Sequence, residues 1–350
     1  MKKIYSRGKH ARFLLKKSRS SPPTKRHYFS RNRYKVGSSA YFNNTDEKKK
    51  KGDLGTVKSP AKLNLFENSK TTLSFIREVR TLAQNYKKIN KEKITMNLRP
   101  LRKIDYSTSC ILTAINEELK SNKIQLVTKM PRDPSCSQYL RDSGYLDNLF
   151  DNAGRRKTLS TTGRHVLFEM GAGPITQEQR KQISLTVEEG FHRIGLTKSD
   201  TKRVKTIILE LCANSIEWGK SQRKNWVLGV KMEDNKIIFT LTDVGIGILD
   251  SLNKKWYDNL DFLKLMAPHK KLGRAFDQKY GSSSGDINRN RGLPYVKQSY
   301  VDGKIGELRV LTNNVFLDFD NPDRSKTFNK GHSRFRGTAY IWTVTRDNVI

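Results

Sequence analysis

Two short runs carry residue types suited to chemistry. Glu210-Leu-Cys-Ala-Asn214 sets a carboxylate and an amide four residues apart, and on a helix that spacing puts both on one face. Further on, Thr242-Asp243-Val-Gly245-Ile-Gly247-Ile248 reads as a strand end breaking into a glycine turn. An acid leaving a strand just before two glycines can face a flat ligand, because glycine lets backbone come close. The pairing points to a bound nucleotide.

The elements that must position these residues follow from the hydrophobic pattern. A helix is expected over 201–218, with Val204, Ile207, Ile208, Leu211 and Ile216 as its apolar face. Glu210 and Asn214 then lie beside the core side of that helix. Ser199 or Asp200 can cap its free amides. A preceding helix over 176–191 carries Ile183, Val187 and Phe191 at spacings of four. Strands over 226–232 and 236–242 flank a Glu233-Asp-Asn-Lys turn and form a hairpin. From Ile248 to Asn290 runs a long excursion, with helices expected over 258–266 and 272–280 and a flexible Gly281-Ser-Ser-Ser-Gly285 patch. Loops of this length are usually lids or binding segments. Arg291-Gly292-Leu293-Pro294 opens another short helix, and strands are expected over 307–312, 314–319 and 337–344.

Upstream, residues 62–150 alternate strand and helix. Helices are expected over 74–87, 107–121 and 137–144, and strands over 93–98 and 123–128. That order implies a small α/β unit with a parallel pair of strands. Residues 151–175 are polar and glycine-bearing, a linker with one strand-like patch at 166–168. Residues 1–60 form a basic arm: no acid precedes Asp46, and Tyr5, Phe13, Tyr28, Phe29, Tyr34 and Tyr41 alternate with Lys and Arg. Such interleaving suits single-stranded nucleic acid, where rings stack on bases and cations meet phosphates. A disordered, solubilising tail is the plain alternative.

Composition limits the function classes. At 350 residues the chain can hold two domains, and 35% hydrophobic content is low enough to imply a disordered part. A formal charge of +34, from 68 basic against 34 acidic residues, attracts polyanions at long range. Cys110, Cys136 and Cys212 have no metal-like spacing and leave no complete disulfide set, which fits a reducing cytoplasm. No stretch approaches the roughly 20 apolar residues that span a bilayer. The start of the chain lacks the apolar region of a secretory signal, although an Arg-rich, acid-poor start also suits a mitochondrial-type transit peptide.

Four segments between 176 and 344 resemble, in order, the GHKL ATPase fold shared by gyrase B, mismatch-repair ATPases, histidine kinases and anti-sigma-factor kinases. The resemblance implies ATP and Mg²⁺ as cofactors. It assigns Asn214 to the metal and Glu210 to orienting or deprotonating the attacking water or hydroxyl. The physics agrees, since a hard cation wants oxygen donors and a carboxylate beside a terminal phosphate is a credible base. Asp243 would accept from the adenine amino group, with Gly245 and Gly247 clearing space for the nucleotide. Arg291, Gly292 and Leu293 match the second glycine box, where amides at a helix start cradle phosphate. Asn290 stands where the family usually has glycine, and Pro294 replaces another, tolerable in a first helical turn. Thr338, after Gly337, would support the adenine-binding acid. Trp218 stands where kinases of the family commonly carry histidine. His165 and His192 are isolated, and no phosphoacceptor helix with a dimerisation pattern is present, which sets aside a classical-type histidine kinase.

The run from Ile94 to Leu149, with Ile104-Asp105-Tyr106-Ser107 before its first helix, is similar to a STAS domain, the fold of anti-anti-sigma factors. The resemblance makes Ser107 the phosphoacceptor position. Tyr106 and Thr108 replace the family's serine and glycine there, and a serine at a helix start is also a good cap.

The expected fold class is α+β: a two-layer α/β sandwich of the GHKL type at 176–350, behind a STAS-like domain at 61–150, a linker at 151–175 and the arm at 1–60. The expected function is Mg²⁺-dependent ATP binding, used by an anti-sigma-like serine/threonine kinase or an ATP-dependent switch. Its protein partner would be STAS-type or sigma-factor-like. An ATP-gated module that binds nucleic acid through the arm, a regulator that binds without hydrolysis, and a homodimeric state all stay open.

Overall fold

The computed structural model describes residues 55–148, 166–218, 225–256, 266–277, 292–329 and 331–348. Most of the expected arm, the linker stretch 149–165, all but the last residue of the helix expected over 258–266, the 281–285 patch, His165, Asn290 and Arg291 lie outside the described residues.

The small unit is built from β1 (Thr56–Lys58), β2 (Lys62–Leu63), α1 (Ser69–Lys88), β3 (Lys93–Asn97), β4 (Lys103–Ile104), α2 (Tyr106–Ser121), β5 (Gln125–Lys129) and α3 (Pro134–Asp142). β1, β3 and β5 form one parallel sheet, and β2 pairs with β4. Thr56–Lys58, within the stretch expected as arm, is a strand pinned against Thr95–Asn97. α1 starts five residues ahead of the expected position. Leu73, Ile76, Val79 and Ala83 fill its buried stripe, and Lys87 and Lys88 in the last turn complement the helix dipole. α3 also starts early, with Asp133 accepting from Cys136 N–H and Pro134 in the first turn.

α2 is the pivot of the molecule. Asp105 caps it, accepting from Thr108 N–H at 2.7 Å through Oδ1, and its Oδ2 accepts from Leu65 N–H at 3.0 Å. Every residue from Tyr106 to Asn116 is buried, the mark of a helix covered on all sides. Two of its hydroxyls are satisfied locally, Ser109 Oγ donating to Asp105 O and Thr113 Oγ1 to Ser109 O, whereas Thr108 Oγ1 is buried without a partner among the described residues. Polar side chains paired in this way can be buried at little cost.

The larger region contains β6 (Val166–Ala172), α4 (Gln177–Arg193), α5 (Thr201–Trp218), β7 (Asn225–Met232), β8 (Lys236–Asp243), α6 (Ile248–Trp256), α7 (Pro268–Phe276), α8 (Gly292–Val301), β9 (Gly306–Asn313), β10 (Val315–Asp318), β11 (Lys326–Thr327) and β12 (Phe335–Thr345). Its seven strands run in the order β11-β10-β9-β12-β8-β7-β6, antiparallel throughout. A capping box opens α4, with Thr176 and Gln179 bonded reciprocally. α7 begins four residues ahead of the expected position, at Pro268, which suits a first helical turn.

The architecture is α+β, and the sheet is covered on both faces. Trp226, Leu228, Val230, Tyr340, Trp342 and Val344 join the core made with α4, α5 and α8. The alternate residues Val227, Ala339 and Ile341 share a second core with the small unit. Period-two alternation sends neighbouring residues to opposite faces, so a strand apolar on both faces needs both covered. The cover is close. A Cβ on Gly229 of β7 would overlap Cys110 Sγ and come within 2.9 Å of the Tyr106 hydroxyl, so α2 reaches the sheet at a point where no side chain fits. No helix among the described residues is long and apolar enough to cross a membrane.

Candidate functional site

At the end of β8, Asp243 is 6% exposed. Its Oδ1 accepts from Gly245 N–H at 2.7 Å, and it pairs in register with Thr338 of β12. Burial pushes its carboxyl up from the ordinary aspartate range to about 6. The Gly245 amide, the Thr338 hydroxyl and backbone, and the positive charge of Arg80 pull the other way. The turn beyond it is pressed against β9. Gly247 has φ +83°, and a Cβ there would overlap Asn313 Oδ1 and lie 2.7 Å from Thr312 Oγ1. Gly337 has φ +132°, and a Cβ there would overlap the Asp243 carbonyl oxygen. Both positions require glycine for space as well as for backbone angle.

Thr312 and Asn313 organise this end of the site, and local sequence reasoning gave them no part. Thr312 Oγ1 accepts from Ile248 N–H at 2.9 Å and donates to Gly337 O at 3.0 Å. Asn313 Oδ1 accepts from Leu249 N–H at 3.0 Å, and Asn313 Nδ2 donates to Ile246 O at 2.8 Å. The two side chains therefore cap α6, a helix that the pattern after Ile248 did not announce. The one local signal is Asn313 itself, at φ +53° in a tight β9–β10 turn, where asparagine is tolerated.

The second cluster lies at the start of α8. Glu210 and Asn214 project from α5, half-buried. Gly292 sits against them: a Cβ there would meet Asn214 Nδ2 at 2.7 Å and Glu210 Oε2 at 3.3 Å. Asn214 Nδ2 is buried and has no hydrogen-bond partner among the described residues. A buried amide without a partner calls for explanation, and a bound group is one. An asparagine can turn either end of its amide to a ligand, and the helix start beside it offers free backbone N–H groups to an anion. Leu293 packs onto the helical core behind that start. The structure brings Gly292 to the Glu210–Asn214 pair, and Gly245 and Thr338 to Asp243.

Ser107 is not at a surface. It is 5% exposed, its hydroxyl lies 3.3 Å from Thr240 Oγ1 of β8, and Asp105 takes the capping role a serine at the helix start could have filled. His192 is exposed near the end of α4. Cys110, Cys136 and Cys212 are free thiols, all buried.

No protein-family profile matches the chain, and no curated protein does. Among solved structures, the SiaB-SiaC complex from Pseudomonas aeruginosa aligns at 14% identity over 54% of this chain and 99% of that one, with a TM-score of 0.26. Overlap at that score is no ground for a shared fold or role.

Proposed function

We propose that the larger region binds ATP with Mg²⁺, Asp243 receiving the adenine amino group and the Glu210–Asn214–Gly292 cluster taking the phosphates and metal. The observation that carries the reading is the buried Asn214 Nδ2, without a partner among the described residues, against Gly292 at a helix start, with Asp243 separately buried and held by Gly245 and Thr338. When bound, Mg²⁺-ATP supplies a transferable phosphoryl group. Asn214 offers an oxygen donor to a hard cation. The amides at the start of α8 face negative charge, and Glu210 takes the proton of the attacking hydroxyl or water.

The use we propose is regulatory: an anti-sigma-like serine/threonine kinase or ATP-dependent switch acting on a STAS-type partner. Burial of Ser107 against Thr240 favours an acceptor on another molecule over the chain's own small unit.

Calorimetric titration of ATP with Mg²⁺ into wild type and Asp243→Asn tests the site. The expected result is saturable binding to wild type and a loss of about 10-fold or more in the variant, the worth of one hydrogen bond to a charged group. Unchanged binding overturns the assignment. Transfer of labelled phosphate to a STAS-type protein, abolished by Glu210→Ala, separates kinase from ATPase.

A further inference from the structure

Arg80 belongs to the small unit, yet its fork is spent on the strands that present Asp243. It lies on the apolar stripe of α1 and is 8% exposed. Nη1 donates to Arg336 O at 2.7 Å, and Nη2 donates to Glu118 Oε1 of α2 at 2.7 Å and to Val244 O at 3.4 Å. Val244 follows Asp243, and Arg336 precedes the Gly337-Thr338 pair that lies against it. One guanidinium therefore holds a carbonyl on each side of the crossing where Asp243 and Thr338 meet. At that crossing Gly337 packs so tightly on the Asp243 carbonyl that no Cβ fits. A small shift of either strand must turn the Asp243 carboxylate.

The pair with Glu118 is not arranged as a simple ion-pair staple. Arg80 Nε and Glu118 Oε2 are both buried without a hydrogen-bond partner among the described residues, so the two-pronged pairing open to Arg and carboxylate is forgone. The second prong goes to backbone. Glu118 orients the guanidinium, and the guanidinium orients the strands.

We infer that Arg80, held by Glu118, is a positioning residue of the adenine pocket and links docking of the small unit to nucleotide recognition. This rests on the ATP-binding reading of Asp243. A partner that lifts α1 and α2 from the sheet withdraws Arg80 from both strands and weakens adenine binding. By linkage, bound ATP strengthens docking of the small unit to the same degree.

The test compares ATP with inosine triphosphate, in which an oxygen replaces the adenine amino group. Dissociation constants for both are measured by calorimetry on the full chain, beside thermal melts without nucleotide. Wild type should favour ATP by about 10-fold or more, the worth of a hydrogen bond to a charged group. Arg80→Met, which keeps the bulk of the stem, should bind both nucleotides with nearly equal strength. Arg80→Lys should restore part of the preference. Glu118→Gln, a gentler change, should shift the ratio in the same direction by a smaller factor, and it keeps the inference testable where Arg80→Met does not fold. Full ATP preference in the folded Arg80 and Glu118 variants, with only a lowered melting temperature, overturns the inference and leaves the ATP reading standing. Failure of wild type to bind ATP at all overturns both.

Discussion

The two ends of the candidate site are built on opposite plans. At the Asp243 end, Gly245, Thr312, Asn313, Gly337, Thr338 and Arg80 fix one buried carboxylate through hydrogen bonds and close packing. At the α8 end, Glu210 and Asn214 are half-buried and Asn214 Nδ2 has no partner among the described residues. A rigid, pre-shaped end suits a flat base, whose hydrogen bonds must be placed in advance. An end with unspent polar capacity suits charged groups that bring a cation and their own oxygens. The contrast makes a general expectation: changes at the first end act on stability as well as on recognition of the base, and changes at the second act on binding alone.

The largest effect is expected at Gly337. A methyl there needs φ +132° from an L residue and overlaps the Asp243 carbonyl, so Gly337→Ala should cost about 3 kcal/mol or more. Urea unfolding measures it, and a cost under about 1 kcal/mol would show the crossing to be looser than its packing implies.

Asp243→Asn should move stability the other way. The folded carboxyl holds its proton more tightly than the unfolded one, up to about 6, chiefly because it is buried. Its contribution to stability is therefore fully present below the ordinary aspartate range and is lost as pH rises through about 6. At neutral pH the ionised, buried group costs about 3 kcal/mol. The variant should gain a comparable amount at pH 7 and nothing near pH 3. Unfolding curves for both proteins between these limits check the sign, and a difference independent of pH would contradict it.

How far the sequence foretold this arrangement depended on how local each cause is. α5, the β7–β8 hairpin and the start of α8 follow from apolar periodicity and from turn residues within a few positions, and they stand where the pattern put them. α6 was missed because its caps come from Thr312 and Asn313, which lie 64 residues downstream of the amides they receive. Arg80 sits on the same stripe as Ile76, Val79 and Ala83. That spacing was legible, but the carbonyls of Val244 and Arg336 that justify burying a charge there were not. α2 reads as a helix with one apolar face. Its second buried face includes the small side chains Ser107 and Cys110, covered by Thr240 of β8 and by the glycine at 229 of β7, distant strands that no local pattern announces. In the candidate site, Gly245 and Thr338 come to Asp243 and Gly292 comes to Glu210 and Asn214, while the ties to β9 and to α1 are products of tertiary packing.

Thr312→Val sharpens the contrast at intermediate size. The hydroxyl serves Ile248 N–H and Gly337 O together, and valine keeps its shape while leaving both groups unpaired. The expected cost is about 1–2 kcal/mol. Faster hydrogen exchange should be confined to the first turn of α6 and to the Gly337 region. Exchange raised evenly across the sheet would mean that the pair supports the fold as a whole, not the Asp243 end.

The smallest change in stability is expected at Asn214, where the contrast is put at greatest risk. Its Nδ2 has no partner to lose among the described residues, and removing an unsatisfied buried donor relieves a desolvation cost while opening a small gap beside Gly292. Asn214→Ala should therefore unfold within about 0.5 kcal/mol of wild type. Binding of ATP with Mg²⁺ should nevertheless fall by about 10-fold or more, while binding without Mg²⁺ falls much less, because the lost group is an oxygen donor for the cation. The ratio of the two losses is the deciding quantity. Equal losses with and without the metal would make Asn214 a contact to nucleotide alone. A stability cost of several kcal/mol would mean that the α8 end is as tightly built as the Asp243 end, and the division between the two would fail.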